Sequence, residues 1–318
     1  MIFYVLKRIG YIALILTAMS VLIFGITQAL PGNVAHVIAG QFATQDVIQA
    51  IERKLGLNDP LPLQYWRWAS GLLQGDLGTS LIMERPIAPL LAEAISRSAV
   101  LAGCSMVLVT VFGIGLGLWA AIRHNRAVDH GISVFTYIGI SVPEFFWGIV
   151  LILLFVGYFQ VLPSGGYGDL GKGVWVWVSH LILPTATLTF TLIAHVSRLT
   201  RSSMLETLNS QYVRNARAKG LPERIVLVRH ALRNALLPTI TVLAVDVGWL
   251  FGGIVVVETV FSYPGLGRLL VFAIERRDLP LIQSSILIVS AIYCVANLVA
   301  DLLYAYFNPK IRYGRAHS

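Results

Sequence analysis

Six long apolar stretches divide the chain, and polar, basic or proline-containing segments separate them. A transmembrane helix needs about 20 apolar residues to cross the hydrocarbon core, and every stretch reaches that length. The stretches are Ile9–Leu30, Ser98–Ile122, Ile132–Phe159, Val176–Ser197, Leu236–Phe261 and Leu281–Phe307. The pattern predicts an all-α polytopic membrane protein with six transmembrane helices. The first stretch is longer than the apolar core of a cleavable signal peptide, so we expect a retained anchor.

Composition supports a membrane location, and the basic residues predict the topology. The chain is 56% hydrophobic and 13% charged, whereas soluble domains carry roughly 25% charged residues. Of its 24 Lys and Arg residues, 15 fall in segments that are cytoplasmic if the N-terminus is inside, which agrees with the positive-inside rule. We therefore attribute the net charge of +8 to topology rather than to nucleic-acid binding, and we expect both termini in the cytoplasm.

The segment between the first two stretches, residues 31–97, is too long to be a simple connector. Apolar residues at helical spacing predict helices over Thr44–Leu55 and Leu63–Leu73. The second of these carries an aromatic group typical of a membrane–water boundary, formed by Tyr65, Trp66 and Trp68. Two interpretations stay open: a lid of interfacial helices, or a surface that contacts a soluble protein delivering a substrate.

The connection between the fourth and fifth stretches, residues 198–235, is unusually long and basic. Helical spacing predicts one helix over Ser203–Ala218, a stop at Gly220, which tolerates positive φ, and a second helix over Glu223–Asn234. Small residues let another surface approach the backbone, and flanking cations supply charged contacts. The candidates for such a docking surface are Arg214, Ala216, Arg217, Ala218, Lys219 and Gly220.

Polar residues inside the apolar stretches are candidates for a translocation path. A charge at mid-bilayer costs at least ~2.5–3.5 kcal/mol on insertion scales, so such groups usually face an interior or a pathway. The candidate acids for the path are Asp246, Glu258 and Asp301. Ser141 and Pro143 are further candidates, because proline kinks the helix there. The acids either pair with polar groups between helices, as Asp301 would with Asn297, or line the path. Glycines in the second and fifth stretches favour close helix packing.

The sequence offers little for catalysis or for binding metals and nucleotides. Cys104 and Cys294 are isolated within apolar stretches, and the seven histidines form no metal-binding pair. The segment from Gly166 to Gly173 nearly spells a phosphate-binding loop, but Gly173 stands where the Ser or Thr that holds Mg²⁺ would be. We therefore predict no enzymatic activity, and no metal or cofactor in this chain.

Several motifs in order resemble the inner-membrane permease subunits of peptide-type ABC importers, the dipeptide, oligopeptide and nickel group. The coupling motif of that family is Glu-Ala-Ala, three residues, Gly and a later Leu-Pro; here Arg214-Asn215-Ala216, Gly220 and Leu237-Pro238 stand in those places. Arg replaces Glu, Asn replaces Ala, and Pro238 falls 18 positions after Gly220. Other matching segments are Leu30-Pro31-Gly32, Gly75–Ser80, Ser141-Val142-Pro143, Arg277–Pro280 and Asn308–Arg312.

The resemblance implies a type I ABC permease fold and an assembly. It implies a second homologous permease, two cytoplasmic ATPase subunits that bind ATP and Mg²⁺, an extracytoplasmic solute-binding protein, and a place in the bacterial inner membrane. The expected mechanism is alternating access driven by the ATPases. The regions would be an N-terminal transmembrane helix at 1–30 and an outer loop at 31–97. The transmembrane core would follow at 98–307, with its coupling loop at 198–235, and a cytoplasmic tail at 308–318.

The sequence does not decide between several substrates, nor between two energy sources for transport. Dipeptides, longer peptides, glutathione, opine-like solutes and chelated nickel all fit the resemblance. From another class, a proton-coupled secondary transporter would use Asp246 and Asp301 as proton sites, although it leaves the basic segment 198–235 unexplained. A membrane scaffold without transport activity would not explain why polar and proline-kinked positions gather in the last four stretches.

Overall fold

The computed structural model describes residues 2–29, 35 and 44–307, which are mainly helical and form no β-strand. The motifs Leu30-Pro31-Gly32 and Asn308–Arg312, and the predicted tail 308–318, lie outside these described residues. The helices are α1 Ile2–Ala29, α2 Gln45–Leu55, α3 Leu61–Leu73, α4 Ile87–Leu108, α5 Ile114–Ile122, α6 Ala127–Ser141, α7 Glu144–Ile152, α8 Val174–Leu208, α9 Gln211–Ala218, α10 Glu223–Ile225, α11 Arg233–Val260, α12 Leu266–Arg276 and α13 Leu279–Phe307.

Three short π-helical segments extend these helices. Val109–Gly113 joins α4 to α5, Leu153–Tyr158 continues α7, and Val226–Leu232 joins α10 to α11. Each π segment adds a residue to a turn without breaking the helix, as π-bulges do. The predicted helix over Glu223–Asn234 is therefore the start of one long rod that runs on to Val260, rather than a separate element.

The described helices agree in length and composition with the six predicted spans, one of which is broken. Five of the described helices are long and apolar enough to cross a bilayer. The sixth span is the pair α6 and α7 with its π extension, which bends by 103°. The bend falls at Val142 and Pro143, where a kink is expected from the sequence. Proline disfavours a helical conformation for the residue before it, and Val142 is extended at φ −100° and ψ 128°.

Several helix ends differ from the predicted spans because helix formation does not stop at the edge of the bilayer. The second span begins at Ile87 rather than Ser98, and the fourth continues to Leu208 rather than Ser197. The prediction of one helix over Ser203–Ala218 is wrong. The chain breaks after Leu208, and Ser210 takes the extended conformation of an N-cap before α9.

The chain divides into two compact units, Met1–Ser98 with Pro264–Cys294 and Ala99–Tyr263 with Val295–Ser318. We call them the first and the second unit. The region boundaries predicted from the sequence, at residues 30, 97 and 307, are based on membrane topology rather than on compact units. They stay a prediction.

In the first unit, α1, α4, α12 and α13 share an apolar core. Its buried members include Ile23, Leu91, Leu266 and Leu281. The two helices predicted within 31–97 are present as α2 and α3. Tyr65 and Trp68 of α3 pack around Phe24 with ring centroids 5.4 and 5.9 Å away, whereas Trp66 is exposed.

A buried carboxylate fixes the loop before α4 in this unit. Asp278 is fully buried and precedes α13. It accepts a hydrogen bond of 2.5 Å from the Ser80 hydroxyl and longer ones from the backbone N–H groups of Leu81, Ile82 and Leu281. These hydrogen bonds join the residues of the loop to the start of α13, so the loop and the helix end are held together.

In the second unit, α8 is the central helix, packed against α5, α6, α7 and α11. Glycine lets α5 approach it closely: a Cβ on Gly117 would lie 2.5 Å from the Ser197 carbonyl oxygen. The predicted close packing is thus present at Gly117, and also at Gly113, but Gly115 and Gly252 face open space. An apolar core that includes Leu188, Leu250 and Ile254 fills the space between the helices.

Candidate coupling surface and intramembrane site

Helix α9 is short, basic and amphipathic. Val213 and Ala216, three residues apart and therefore on one face, are buried against Met204, Val226 and Ala231. This small core fixes α9 to the end of α8 and to the π-helical start of α11. A displacement of α9 therefore has to move both long helices.

Ala216 differs from the other predicted docking residues in its burial. It is only 6% exposed, so its small side chain packs within the chain, and its part in a docking surface stays a prediction. The other five predicted docking residues are exposed: Arg214, Arg217, Ala218, Lys219 and Gly220. Gly220 adopts φ +76°, the left-handed conformation that glycine accommodates best.

An ion pair closes the turn after α9. Arg217 donates to Glu223 from Nη2 at 2.6 Å and from Nε at 3.1 Å. These bonds raise the pKa of Arg217, so the guanidinium stays charged. Both side chains are well exposed, and such a pair adds little stability. Its effect is to orient the turn that carries Lys219 and Gly220.

A buried polar network lies where α8 passes the turn between α5 and α6. Asp129 is 1% exposed and accepts two hydrogen bonds from Arg201, at 2.5 and 2.8 Å. The Asn125 N–H donates to it at 2.9 Å, and His124 Nδ1 lies 3.2 Å away. Bidentate charge-assisted pairs of this kind are strong and directional, so the α5–α6 turn is tied to the helix that leads into α9.

The predicted path residues have different surroundings. The Ser141 hydroxyl donates to the Tyr137 carbonyl at 2.8 Å, so it is satisfied within α6, and Pro143 is the N-cap residue that precedes α7. Glu258 is fully buried near the end of α11, and Asp301 on α13 is half-buried. Their place in a translocation path stays a prediction.

Asp246 lies on α11 and is 6% exposed. Its Oδ1 is 3.8 Å from Nδ1 of His195 on α8. Its Oδ2 is buried and has no hydrogen-bond partner among the described residues. A buried carboxylate oxygen without a partner is costly, which makes Asp246 the predicted path residue with the most unusual environment.

A fourth intramembrane acid, Glu144, was missed in the sequence although it follows Pro143 within an apolar stretch. Its carboxylate lies against Gly253 of α11, where a Cβ would be 2.5 Å from Oε2. Its Oε1 is buried and also lacks a partner among the described residues. The signal was available, since any acid within a span is a candidate functional residue.

One turn further along α7, Trp147 stacks on Phe190 of α8 with centroids 4.8 Å apart. Its indole Nε1 is buried and, within the described part of the chain, donates to nothing. Among the described residues no group of three or more His, Cys, Asp or Glu could hold a metal ion.

Two family models cover the chain. One, described as binding-protein-dependent transport system inner membrane component, matches residues 113–313. The other, its N-terminal counterpart, matches residues 1–111.

Curated relatives match over nearly the full length. The chain is 40% identical to the "Probable peptide ABC transporter permease protein y4tP" of Sinorhizobium fredii (strain NBRC 101917 / NGR234). It is 41% identical to the "Glutathione transport system permease protein GsiC" of Escherichia coli (strain K12). Each alignment spans 310 residues, 98% of this chain and 99% of the relative.

A solved structure supports the fold. The chain resembles a chain of "Crystal structure of an amino acid ABC transporter with histidines" with a TM-score of 0.51. The match covers 70% of this chain and 94% of that one, at 16% sequence identity. At this identity the likeness concerns the fold alone.

Proposed function

The chain belongs to the binding-protein-dependent transport system inner membrane component family, and we propose that it carries peptides or peptide-like solutes across the inner membrane. It is a permease subunit of an ABC importer, as its relatives are. It is a transport subunit rather than an enzyme, and ATP hydrolysis belongs to partner subunits. The observation that carries this conclusion is the identity of about 40% along almost the whole chain.

The substrate class follows from two relatives of nearly equal similarity. One is named for peptides and the other for glutathione, and glutathione is itself a small peptide. Both kinds of solute carry amide groups, an amino group and carboxylates. We therefore propose small peptides, including glutathione, and leave nickel chelates and opine-like solutes as less favoured substrates.

The exposed basic surface of α9 is the proposed ATPase contact. Arg214, Arg217, Ala218, Lys219 and Gly220 would meet the ATPase. The small core behind α9 supports this role, because it joins the helix to α8 and α11. A push on α9 is then transmitted to two spans, which is what alternating access requires of a coupling element.

Family membership implies an importer with a partner permease, ATPase subunits and a binding protein. We propose in addition that the partner permease is a distinct homologue, that two ATPases bind ATP and Mg²⁺, and that both termini are cytoplasmic. The distribution of basic residues supports this orientation. The relatives give no support to the proton-coupled alternative built on Asp246 and Asp301.

The assembly is tested by mass spectrometry of what co-purifies with the tagged chain, expressed from its native gene neighbourhood and extracted in mild detergent. We expect a second permease and ATPase subunits in stoichiometric amounts. Recovery of the chain alone from intact complexes would contradict the proposal.

The coupling role is tested by Gly220→Trp with Gly220→Ala as its control. Both variants strain the positive φ, but only Trp adds bulk at the proposed contact. We expect the Trp variant to insert and assemble normally while uptake per ATP hydrolysed falls at least about ten-fold, and the Ala variant to lose much less. Normal uptake by the Trp variant would show that Gly220 is not at the contact.

A further inference from the structure

Two carboxylates and an indole in the second unit are left without the partners that buried polar groups normally have. Within the described residues, Glu144 Oε1, Asp246 Oδ2 and Trp147 Nε1 are buried and make no hydrogen bond. Native proteins satisfy the large majority of such atoms, and the exceptions call for an explanation such as an unseen ligand. The three atoms therefore point to a ligand that supplies a donor to the acids and an acceptor to the indole.

Glu144 and Trp147 lie on one face of α7, because residues three apart are neighbours on a helix. The Glu144 carboxylate rests against the backbone of α11 at Gly253. The Trp147 ring is held flat on Phe190, at an interplanar angle of 19°, and Phe190 in turn lies 5.6 Å from Phe135. A carboxyl group thus stands beside a fixed aromatic wall that also carries an N–H donor.

Asp246 extends this arrangement along α11. It precedes Gly253 by seven residues, which is close to two full turns, so both residues point to nearly the same side about 10 Å apart along the axis. The Asp246 side chain is 8% exposed, so its free Oδ2 is enclosed and faces other groups of the bundle. On the neighbouring helix α8, His195 Nδ1 lies 3.8 Å from Asp246 Oδ1, and Arg198 in turn interacts electrostatically with His195.

We propose that Glu144 and Trp147 bind the protonated amino terminus of the transported peptide, and that Asp246 receives it at the next step along α11. This inference rests on the proposed function, since it assumes a peptide substrate. An α-ammonium group donates charge-assisted hydrogen bonds to carboxylates and is attracted to an aromatic face. The first carbonyl oxygen of the peptide is the matching acceptor for the Trp147 N–H.

The spacing along α11 fits a solute moving along its own axis. An extended peptide covers at most about 3.3–3.6 Å per residue, so the rise of about 10 Å between Asp246 and Gly253, the residue beside Glu144, corresponds to about three residues. A free inorganic cation or a proton shares the charge of the ammonium group, but neither offers an acceptor to Trp147. The requirement for both a donor and an acceptor favours the peptide terminus.

The test uses the complete importer, with its binding protein, in proteoliposomes. The probes are trialanine and glutathione, each with a free and an N-acetylated amino group, and the readout is uptake per ATP hydrolysed. For Glu144→Gln we expect uptake of the free-amino probes to fall about ten-fold or more, as for loss of a hydrogen bond to a charged group. Glu144→Asp should recover part of it, and the exposed acid variant Glu275→Gln should behave as wild type.

The acetylated probes separate substrate binding from a general defect. The Glu144→Gln variant should take up the N-acetylated probes within two-fold of the wild-type level, whatever that level is. An equal fall for both forms, or no fall for either, overturns the inference while the importer function stands. Uptake of neither peptide by the wild type would instead count against the proposed substrate class.

Photolabelling gives a second readout that does not depend on the acetylated forms being carried. Trialanine with a diazirine on its first residue should label the segment 144–152, and the Glu144→Gln variant should reduce that label about ten-fold. Trialanine with the diazirine on its last residue should label that segment weakly. Equal labelling by both peptides, or labelling outside α7 and α11, would show that the amino terminus binds elsewhere. If excess sodium or potassium abolishes the labelling of this segment, the site binds an inorganic cation, and the proposal is overturned.

Discussion

Asp278 of the first unit and Asp246 of the second are both buried aspartates, and their hydrogen bonding differs completely. Asp278 accepts one hydroxyl and three backbone N–H groups. Asp246 has one oxygen at 3.8 Å from His195 and another without a partner among the described residues. The same contrast separates Asp129, saturated by Arg201 and its neighbours, from Glu144.

The difference indicates which buried acids serve the fold and which serve transport. A saturated carboxylate rigidifies the elements that hydrogen-bond to it, and removing it leaves several donors unpaired. An unsaturated one adds no comparable stability, and its retention within a span marks a functional role. On this basis Asp129 and Asp278 hold helix ends in place, whereas Asp246 and Glu144 are the acids that we propose bind the ammonium group of the peptide.

The largest loss of stability should follow from breaking the Asp129 network. Asp129→Asn removes the charge that pairs with Arg201, and breaking a buried pair typically costs about 3 kcal/mol or more. We expect equilibrium unfolding in mixed micelles to show a loss of that size. His124→Gln is the control, because the His124 side chain is 46% exposed, and it should change the unfolding free energy by less than about 1 kcal/mol.

A change in unfolding free energy near zero for Asp129→Asn would contradict the comparison, since a saturated carboxylate would then add no more stability than an unsaturated one. The double variant Asp129→Asn with Arg201→Met tests whether the two groups act as a pair. If the two groups act as a pair, the double variant should be less destabilised than the sum of the single ones.

An intermediate effect is expected where α5 meets α8. Gly117→Ala would place a Cβ 2.5 Å from the Ser197 carbonyl oxygen and 2.7 Å from Thr200 Cβ. Overpacking of this kind costs about 1–3 kcal/mol. Gly115→Ala, two residues away and facing open space, should be neutral or slightly stabilising, since Ala favours helix by up to about 1 kcal/mol. Equal unfolding free energies for the two variants would mean that the helices separate at little cost.

The smallest effect on stability, with a clear effect on transport, is expected for Gly253→Ala. Its Cβ would meet the flexible end of Glu144 at 2.5 Å, so the side chain can move aside at a cost within about 1 kcal/mol. Moving it displaces the carboxylate from the proposed ammonium site. Uptake of trialanine per ATP should fall several-fold, while Gly252→Ala, which meets nothing within 4 Å, should transport as wild type.

Transport by Gly253→Ala at the wild-type rate would show that the position of Glu144 is unimportant. Loss of transport by both variants would trace the defect to α11 in general rather than to the carboxylate.

Long-range periodicity made most of the fold predictable from the sequence. Runs of more than 20 apolar residues fix the spans, and Pro143 locates the break in the third one. The ends of α4 and α8 were not predictable in the same way, because polar residues such as Arg201 continue a helix beyond the bilayer when a partner such as Asp129 is available. That partner is 72 residues away in the chain, and its position depends on the packing of α6 against α8.

The docking surface on α9 and the turn after it stays a prediction, and the structure adds only the burial of its residues. Five of its six residues are exposed, but Ala216 faces inward with Val213. The spacing of those two residues already described an apolar face, and small side chains pack within a protein as readily as against a partner. Glu144 is not among the predicted path residues, although it directly follows Pro143 within an apolar stretch. Its position against Gly253 depends on the 103° bend, whose direction a sequence does not encode locally.

The most direct test of this account compares Asp246→Asn and Asp278→Asn in the same reconstituted importer, measuring the unfolding free energy and the uptake of trialanine per ATP hydrolysed. We predict that Asp278→Asn lowers the unfolding free energy by about 2–3 kcal/mol, and that the fraction still folded keeps its uptake per ATP. Asp246→Asn should leave the unfolding free energy within about 1 kcal/mol of wild type and lower uptake per ATP about ten-fold. The reverse pattern, or two variants that lose stability equally, would contradict the assignment of saturated acids to the fold and unsaturated acids to transport.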